Sequence, residues 1–312
     1  MAAEVQASTD TRVSIIVPTL NPGKNLPELQ KALARQSPQP LEVVIVDSAS
    51  TDGSPGRWRA AGSSVFHIER ANFDHGGARN YVASRSLGNI LVFMTQDAIP
   101  ANEQWLANLI SPIVSGEVVA TFARQLPKKD ANPLERFARN FNYPAESRIQ
   151  TLADVHKIGY KAFFFSNVCS AIRTDVFWQV GGFQQGIIVN EDVLLCAKLL
   201  RAGYKVKYEA KAQVFHSHDY GLLQQFKRYF DLGASISRTE SCLKGARVGT
   251  EGLKFVKGQA SYMINIQHYF GLFKVFAEAA VKLMAFHLGR RERWIPCSLK
   301  RRLSRHSFVW EC

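Results

Sequence analysis

Apolar residues along this chain fall into short continuous runs separated by segments with helical spacing. Residues 12–19 (RVSIIVPT) have strand character, 25–36 (NLPELQKALARQ) repeat their apolar positions helically, and 41–50 (LEVVIVDSAS) form a second strand that stops in a polar turn. The alternation continues through a strand at 63–69 and a helix at 76–87 that starts on glycines. A strand in NILVFMT follows, and beyond Thr95 come Gln96 and a single acid, Asp97. Strands that are apolar throughout and joined through helices predict an α/β fold with a mainly parallel central sheet covered on both faces.

Further along, the pattern predicts a helix at 102–114, a strand at 117–124 and a loop rich in Pro, Lys and Asn. Residues 161–183 read as a buried strand, a short helix and a glycine turn. A helix at 190–203 opens on Asn190 as a candidate cap, with Glu191 and Asp192 in the first turn, where the helix dipole favours acids. A late strand at 205–218 ends in His216 and His218. Beyond it the pattern is helical alone: 222–238 is amphipathic and basic, and 269–293 is long and apolar, with Lys274, Glu278 and Lys282 forming one polar stripe. The chain therefore divides into a loose tail at 1–11, an α/β domain at 12–218 and a helical basic region at 219–312.

Composition narrows the chemistry. The 312 residues carry a formal charge of +13, and residues 290–305 hold seven basic side chains against the single acid Glu292. Such charge attracts anions, but there is neither a zinc finger nor the aromatic sheet motif of an RNA binder, so a nucleic-acid partner is not expected. Five widely spaced cysteines without a CxxC pair argue against zinc and for reduced thiols. The N-terminus lacks the basic start and apolar core of a secretion signal, so a cytosolic protein is expected. Three charges within residues 269–288 argue against a membrane span. A helix lying on a membrane, or packed against another helix or subunit of a homo-oligomer, fits that segment better.

In parallel sheets ligands collect at the carboxyl ends of strands, where Asp47 and Asp97 stand. Neither has a Walker lysine loop or a GxGxxG fingerprint beside it, which removes the common ATPase and dinucleotide readings.

The segments VSIIVPTLN, VVIVDSASTDGS, HGGARN, FMTQDAIP and NEDVLLCAKLLRAGYKV, in this order between residues 12 and 218, resemble the inverting family 2 glycosyltransferases and imply their GT-A nucleotide-sugar-binding fold. The resemblance implies that Pro18, Thr19 and Asn21 lie beside the nucleotide and that Asp47 meets the pyrimidine ring, although Asp47 is also suited to cap its own turn with Ser48 and Ser50. Gly76 and Gly77 permit close approach of a ligand, Arg79 is implied near the nucleotide or its phosphates, and Asp74 and His75 near the sugar. Asp97 is implied to contact the donor by holding Mg2+ or Mn2+ against its diphosphate, completed by His216 or His218. Thr95 and Gln96 stand where the family carries further acids. Asp192 matches the family's catalytic base, and Glu191 is a positioning neighbour or fallback base.

FDHGGARN and TQDAIP look more narrowly like the bacterial rhamnosyltransferases of O-antigen and surface-polysaccharide synthesis. That implies dTDP-L-rhamnose as donor and inversion to an α linkage. The implied acceptor is a glycan on a polyprenyl diphosphate, with the basic C-terminus against the anionic cytoplasmic face of the inner membrane. Two other readings remain: a transferase for a UDP-hexose or UDP-N-acetylhexosamine, and a noncatalytic glycan-binding protein on a degenerate transferase fold.

Overall fold

A computed structural model describes residues 11–243 and 250–310; all but the last residue of the tail expected at 1–11 lies outside them. Its strands are β1 (Val13–Thr19), β2 (Glu42–Asp47), β3 (Ser64–His67), β4 (Ile90–Met94), β5 (Ile99–Pro100), β6 (Ala120–Leu126), β7 (Arg148–Gln150), β8 (Cys169–Arg173) and β9 (Val206–Phe215). They join one sheet in the order β3-β2-β1-β4-β8-β6-β9-β5, with β7 on β9. The first four are parallel to one another, as their apolar runs predict. The second half corrects the mainly parallel expectation. β8 is antiparallel to both β4 and β6, and β5 and β7 are antiparallel to β9, while β6 and β9 are parallel. The reason is the route of the chain: after β6 it wanders over the carboxyl edge of the sheet and enters β8 from that edge.

The helices that cover this sheet are α1 (Asn25–Ala34), α2 (Ser54–Ala60), α3 (His75–Ala83), α4 (Trp105–Val114), α5 (Pro133–Asn142), α6 (Asp154–Ile158), α7 (Thr174–Gln179) and α8 (Glu191–Arg201). Alternate residues of each central strand serve opposite faces. Ile16, Val44, Val46, Leu91 and Phe93 pack with Val82 of α3 and Leu194 and Leu195 of α8. Ile15, Val17, Ile45, Val92 and Met94 pack with Leu29 and Leu33 of α1 and Leu109 of α4. Burial on both faces is why the strands lack polar alternation.

Among the described residues α9 (Leu222–Arg238), α10 (Thr250–Asn265), α11 (Tyr269–Arg290) and α12 (Cys297–Leu303) follow. α9 and α11 touch backbone to backbone: a Cβ on Gly233 would sit 2.2 Å from the Phe286 carbonyl oxygen, and one on Gly289 2.1 Å from that of Phe230. Phe230, Ala234, Ala285 and Trp310 close a small core with Ile188, just ahead of α8. α10 docks on α5, where Gln259 Nε2 donates to the Leu134 carbonyl at 3.1 Å.

The polar stripe of α11 turns inward. Glu278 is buried and bound to Lys282 at 2.8 Å, while Phe270 and Phe273 of the same helix are 82% and 75% exposed. Among the described residues no helix is long and apolar enough to cross a membrane. Cys169, Cys196 and Cys242 are free thiols, but Cys297 is disulfide-bonded, which corrects the all-reduced expectation at that position.

Candidate active site

The carboxyl ends of β1 and β2 form one cradle, because their register pairs Thr19 with Asp47. Asp47 is fully buried and accepts from Thr19 Oγ1 at 3.1 Å and from the Ser50 backbone N–H at 2.9 Å. Asn21, at φ +45°, accepts from the Thr51 N–H at 2.7 Å, and its own N–H donates to Ser50 Oγ at 2.8 Å. The cradle is thus internally bonded, with Pro18 half-buried and Asn21 exposed at its rim. Gln96, which stands where the family carries an acid, joins it. Its Oε1 accepts from the Leu20 N–H at 2.8 Å and its Nε2 donates to the Leu20 carbonyl at 3.0 Å. A carboxylate has no hydrogen to give that carbonyl, so the amide has a structural reason here.

Asp97 follows β4, and His216 and His218 follow β9. Register brings them together: Ile99 pairs with Phe215, and the His216 N–H donates to the Leu126 carbonyl at the end of β6. The Nε2 atoms of His216 and His218 lie 3.5 and 3.4 Å from Asp97 Oδ2, and one ligand atom from each of the three residues falls within 4.8 Å of the others. Burial opposes ionisation of Asp97, yet its two imidazole neighbours, His216 before His218, hold its carboxyl well below the usual range. Burial lowers both imidazoles, His218 to about 3 with His216 adding to the effect, so both rings are neutral near pH 7.

The tautomer of His216 is set from behind. Arg139 of α5 donates to Gln125 Oε1, and Gln125 Nε2 donates to Tyr143 Oη at 2.6 Å and Ser166 Oγ at 3.0 Å. A guanidinium only donates, so the Gln125 oxygen must face it. His216 Nδ1, 2.9 Å from that oxygen, then carries the proton, and Nε2 presents its lone pair to Asp97. One carboxylate and two neutral imidazoles, one oriented by an outer hydrogen bond, are a donor set that fits a divalent cation.

The third group is the start of α8. Asn190 turns the chain at φ +74° but makes no side-chain cap, contrary to its expected role. Glu191 is buried beside Arg79, with Nη1 to Oε1 at 3.3 Å, and accepts from Asn167 Nδ2 at 3.2 Å. Asp192 accepts from the Asn167 and Val193 backbone N–H groups at 3.2 and 2.8 Å. The two acids differ electrostatically. Burial works against Glu191, but Arg79 and His75 overcome it and keep that group ionised. Burial, then the Glu191 charge, pushes Asp192 up to about 7. Asn167 links this pair to the cluster of Asp97, His216 and His218, since the neighbouring Val168 carbonyl accepts the Thr95 N–H at 3.1 Å, two residues before Asp97.

Arg79 therefore sits buried against Glu191 and the His75 carbonyl, 2.8 Å away, rather than open toward a phosphate. The glycines of HGGARN are explained by packing. A Cβ on Gly76 would lie 2.3 Å from the Gln184 carbonyl oxygen, and the Gly77 N–H is bonded by Asp74, the cap of α3. Sequence reasoning singled out Gln96 without its partner Leu20 and missed Gln125, Arg139 and Asn167. The polar pair Ser166-Asn167 interrupting an aromatic run was a visible signal for the last; Arg139 was concealed in a segment read as loop.

The family profile described as Glycosyl transferase family 2 matches residues 14–181. The chain is 35% identical over 304 residues to the O-antigen chain rhamnosyltransferase RfbN of Salmonella typhimurium, covering 96% of each protein. It is 36% identical over 302 residues to the O-antigen chain rhamnosyltransferase WbaN of Salmonella anatum, covering 95% of each. Among solved structures, the mannosyltransferase PcManGT from Pyrobaculum calidifontis, in complex with GDP-Man and Mn2+, matches with a TM-score of 0.58 at 19% identity over 91% of this chain and 74% of that one. With its mixed sheet, carboxyl-edge site and full-length relatives, the chain belongs to glycosyltransferase family 2 and has the GT-A fold.

Proposed function

We propose that this enzyme transfers L-rhamnose from dTDP-β-L-rhamnose, with inversion, to a hydroxyl of a growing, lipid-linked surface glycan. The observation that carries the choice of sugar is the identity of 35% and 36%, over nearly the whole chain, to two O-antigen chain rhamnosyltransferases. The roles of individual residues rest on the geometry above. Thr19, Asn21 and Asp47 form the cradle for the nucleotide, with the second lone pairs of the Asp47 oxygens available to a base N–H. Asp97, His216 and His218 hold Mg2+ or Mn2+, which when bound offsets the charge of the departing diphosphate.

Asp192 takes the proton of the acceptor hydroxyl as that oxygen bonds to the anomeric carbon and the bond to the diphosphate breaks. A carboxyl poised near neutrality is matched to this task. Glu191, committed to Arg79, keeps the helix start in place and raises its neighbour. Opposite-face attack with one base and no enzyme nucleophile inverts the anomeric centre.

The apolar face of α11 supports attachment to a membrane. Tyr269, Phe270, Phe273, Phe276, Leu283 and Met284 are exposed along it, and the exposed Arg291, Arg293, Arg301 and Arg302 follow. Aromatic side chains with adjacent guanidinium groups match the boundary of an anionic leaflet, where a polyprenyl diphosphate acceptor resides.

The test supplies purified protein with dTDP-rhamnose, UDP-glucose or UDP-N-acetylglucosamine, each with Mn2+, Mg2+ or EDTA, and measures product mass and anomeric configuration. Metal-dependent α-rhamnoside formation is expected, and Asp97→Asn should abolish most of it while leaving the fold intact. Transfer from a UDP-sugar alone would overturn the choice of donor. Glycan binding without transfer from any donor would overturn the catalytic reading.

A further inference from the structure

The C-terminal third returns to the active site. The loop after β9 places Tyr220 two residues beyond His218, and the two rings stack with centroids 4.8 Å apart and planes 21° from parallel. Two guanidinium groups lie over the same tyrosine: Arg305 at 4.9 Å from the ring centroid and Arg228 at 5.5 Å. Among the described residues neither has a carboxylate partner. Arg228 belongs to α9, and Asp231, three residues along the same helix, accepts from the Arg305 and His306 backbone N–H groups at 2.9 and 3.3 Å. Asp231 is 1% exposed, so the segment carrying Arg305 is anchored rather than loosely apposed.

We propose that Tyr220, Arg228 and Arg305 form a diphosphate-binding subsite alongside the Asp97, His216 and His218 cluster, an inference that rests on the nucleotide-sugar reading. Two like charges gathered on one ring repel each other, and the cation–π contacts offset only part of that cost. An anion with several oxygens removes that repulsion, and planar guanidinium forks pair with phosphate oxygens in two-pronged fashion. Position selects a diphosphate over a single phosphate. The ring that stacks on His218 also carries both guanidinium groups, 4.9 and 5.5 Å from its centroid, so an anion spanning both groups must carry oxygens to the cation ligands and to the guanidinium groups together. The diphosphate belongs either to the donor or to the lipid carrier of the acceptor. A small cleft bounded by Asn132, Glu135, His218, Tyr220, Gln259 and Lys282 lies between this loop and the C-terminal helices.

The experiment uses the full chain and the Arg228→Gln, Arg305→Gln and double variants, with Arg35→Gln, at the far end of α1, as a charge-matched control. Calorimetric titration with inorganic pyrophosphate and Mn2+ reads binding without turnover, so its outcome is separate from that of the donor assay. Each single variant is expected to weaken binding about tenfold or more, the equivalent of one charge-assisted hydrogen bond, and Arg35→Gln to leave it unchanged. Steady-state kinetics then assign the source. A raised KM for the nucleotide-sugar with the acceptor KM unchanged identifies the donor's diphosphate, and the reverse identifies the lipid's. The proposal is overturned if wild-type protein does not bind pyrophosphate with Mn2+, or if the double variant keeps its melting temperature and binds within twofold of wild type.

Discussion

Glu191 and Asp192 are adjacent at one helix start, and Arg79, with His75, holds the first ionised while burial and the Glu191 charge raise the second. Because Glu191 is held ionised and Asp192 is pushed up to about 7, kcat/KM for transfer should rise as pH increases through that region, where Asp192 loses its proton. Asp192→Asn should fold and lose about a hundredfold or more in turnover at every pH. Glu191→Gln removes the charge that helps raise Asp192, so the rising limb should move to lower pH. The same change strands the buried Arg79 cation and should destabilise the fold by about 3 kcal/mol or more. A pH–rate profile read with a thermal melt separates the roles, and a Glu191→Gln limb unchanged in position would refute the coupling. Gln96 gives a second test. Gln96→Glu would match the family's acidic pattern, yet it sets a carboxylate against the Leu20 carbonyl and removes a donor. A loss of about 1–3 kcal/mol is expected in denaturant titration, and a variant at least as stable as wild type would show that the amide pairing carries no weight.

At the scale of elements, legibility followed periodicity. β1, β2, β4, α1 and α8 were readable because each repeats its apolar residues at one period over most of its length. α5 was not: Asn132 caps it and Pro133 opens it, but in sequence the same residues are turn formers. The direction of β8 was hidden because a five-residue buried strand reads identically in either orientation, and only the path of the preceding loop decides. The site was legible to the same extent. Asp97, His216 and His218 stand at strand ends and were legible as candidates that the fold brings together, whereas Gln125 and Arg139 act from within a strand and a concealed helix. The inward turn of the α11 polar stripe was missed because a stripe alone does not reveal which side is wet. Glycine spacing holds the matching clue, since Gly233 and Gly289 mark where α9 and α11 meet. Gly289→Ala places a methyl group against the Phe230 carbonyl and should lower stability by about 1–3 kcal/mol. Gly252→Ala, in open space by the same construction, should show no such loss in a parallel melt.

For the whole molecule, the basic C-terminus packs against the start of α3 in the catalytic domain. All the sequence motifs precede residue 219, but His306 stands 5.0 Å from His75, ring to ring, and Asp231 fastens that segment to α9. Deleting it would confound attachment with damage to the site, so attachment is better tested on the far side of α11. Phe270→Ser with Phe273→Ser changes two side chains that are 82% and 75% exposed and contribute little to the fold. Burying each ring in a lipid interface contributes about 1.5–3 kcal/mol, so the double variant should lose tenfold or more in partitioning to anionic vesicles. Transfer to a short water-soluble acceptor should be retained and transfer to a lipid-linked acceptor reduced. Salt should weaken binding further by screening the arginines beyond α11, since each basic side chain near an anionic surface contributes about 1 kcal/mol. Sedimentation with vesicles, alongside sedimentation velocity without them, decides between two occupants of this face. Loss of vesicle binding by a variant of unchanged mass places a membrane there. Absence of vesicle binding in both proteins, with a wild-type dimer that the double variant dissociates, would instead assign the face to a second copy of the chain.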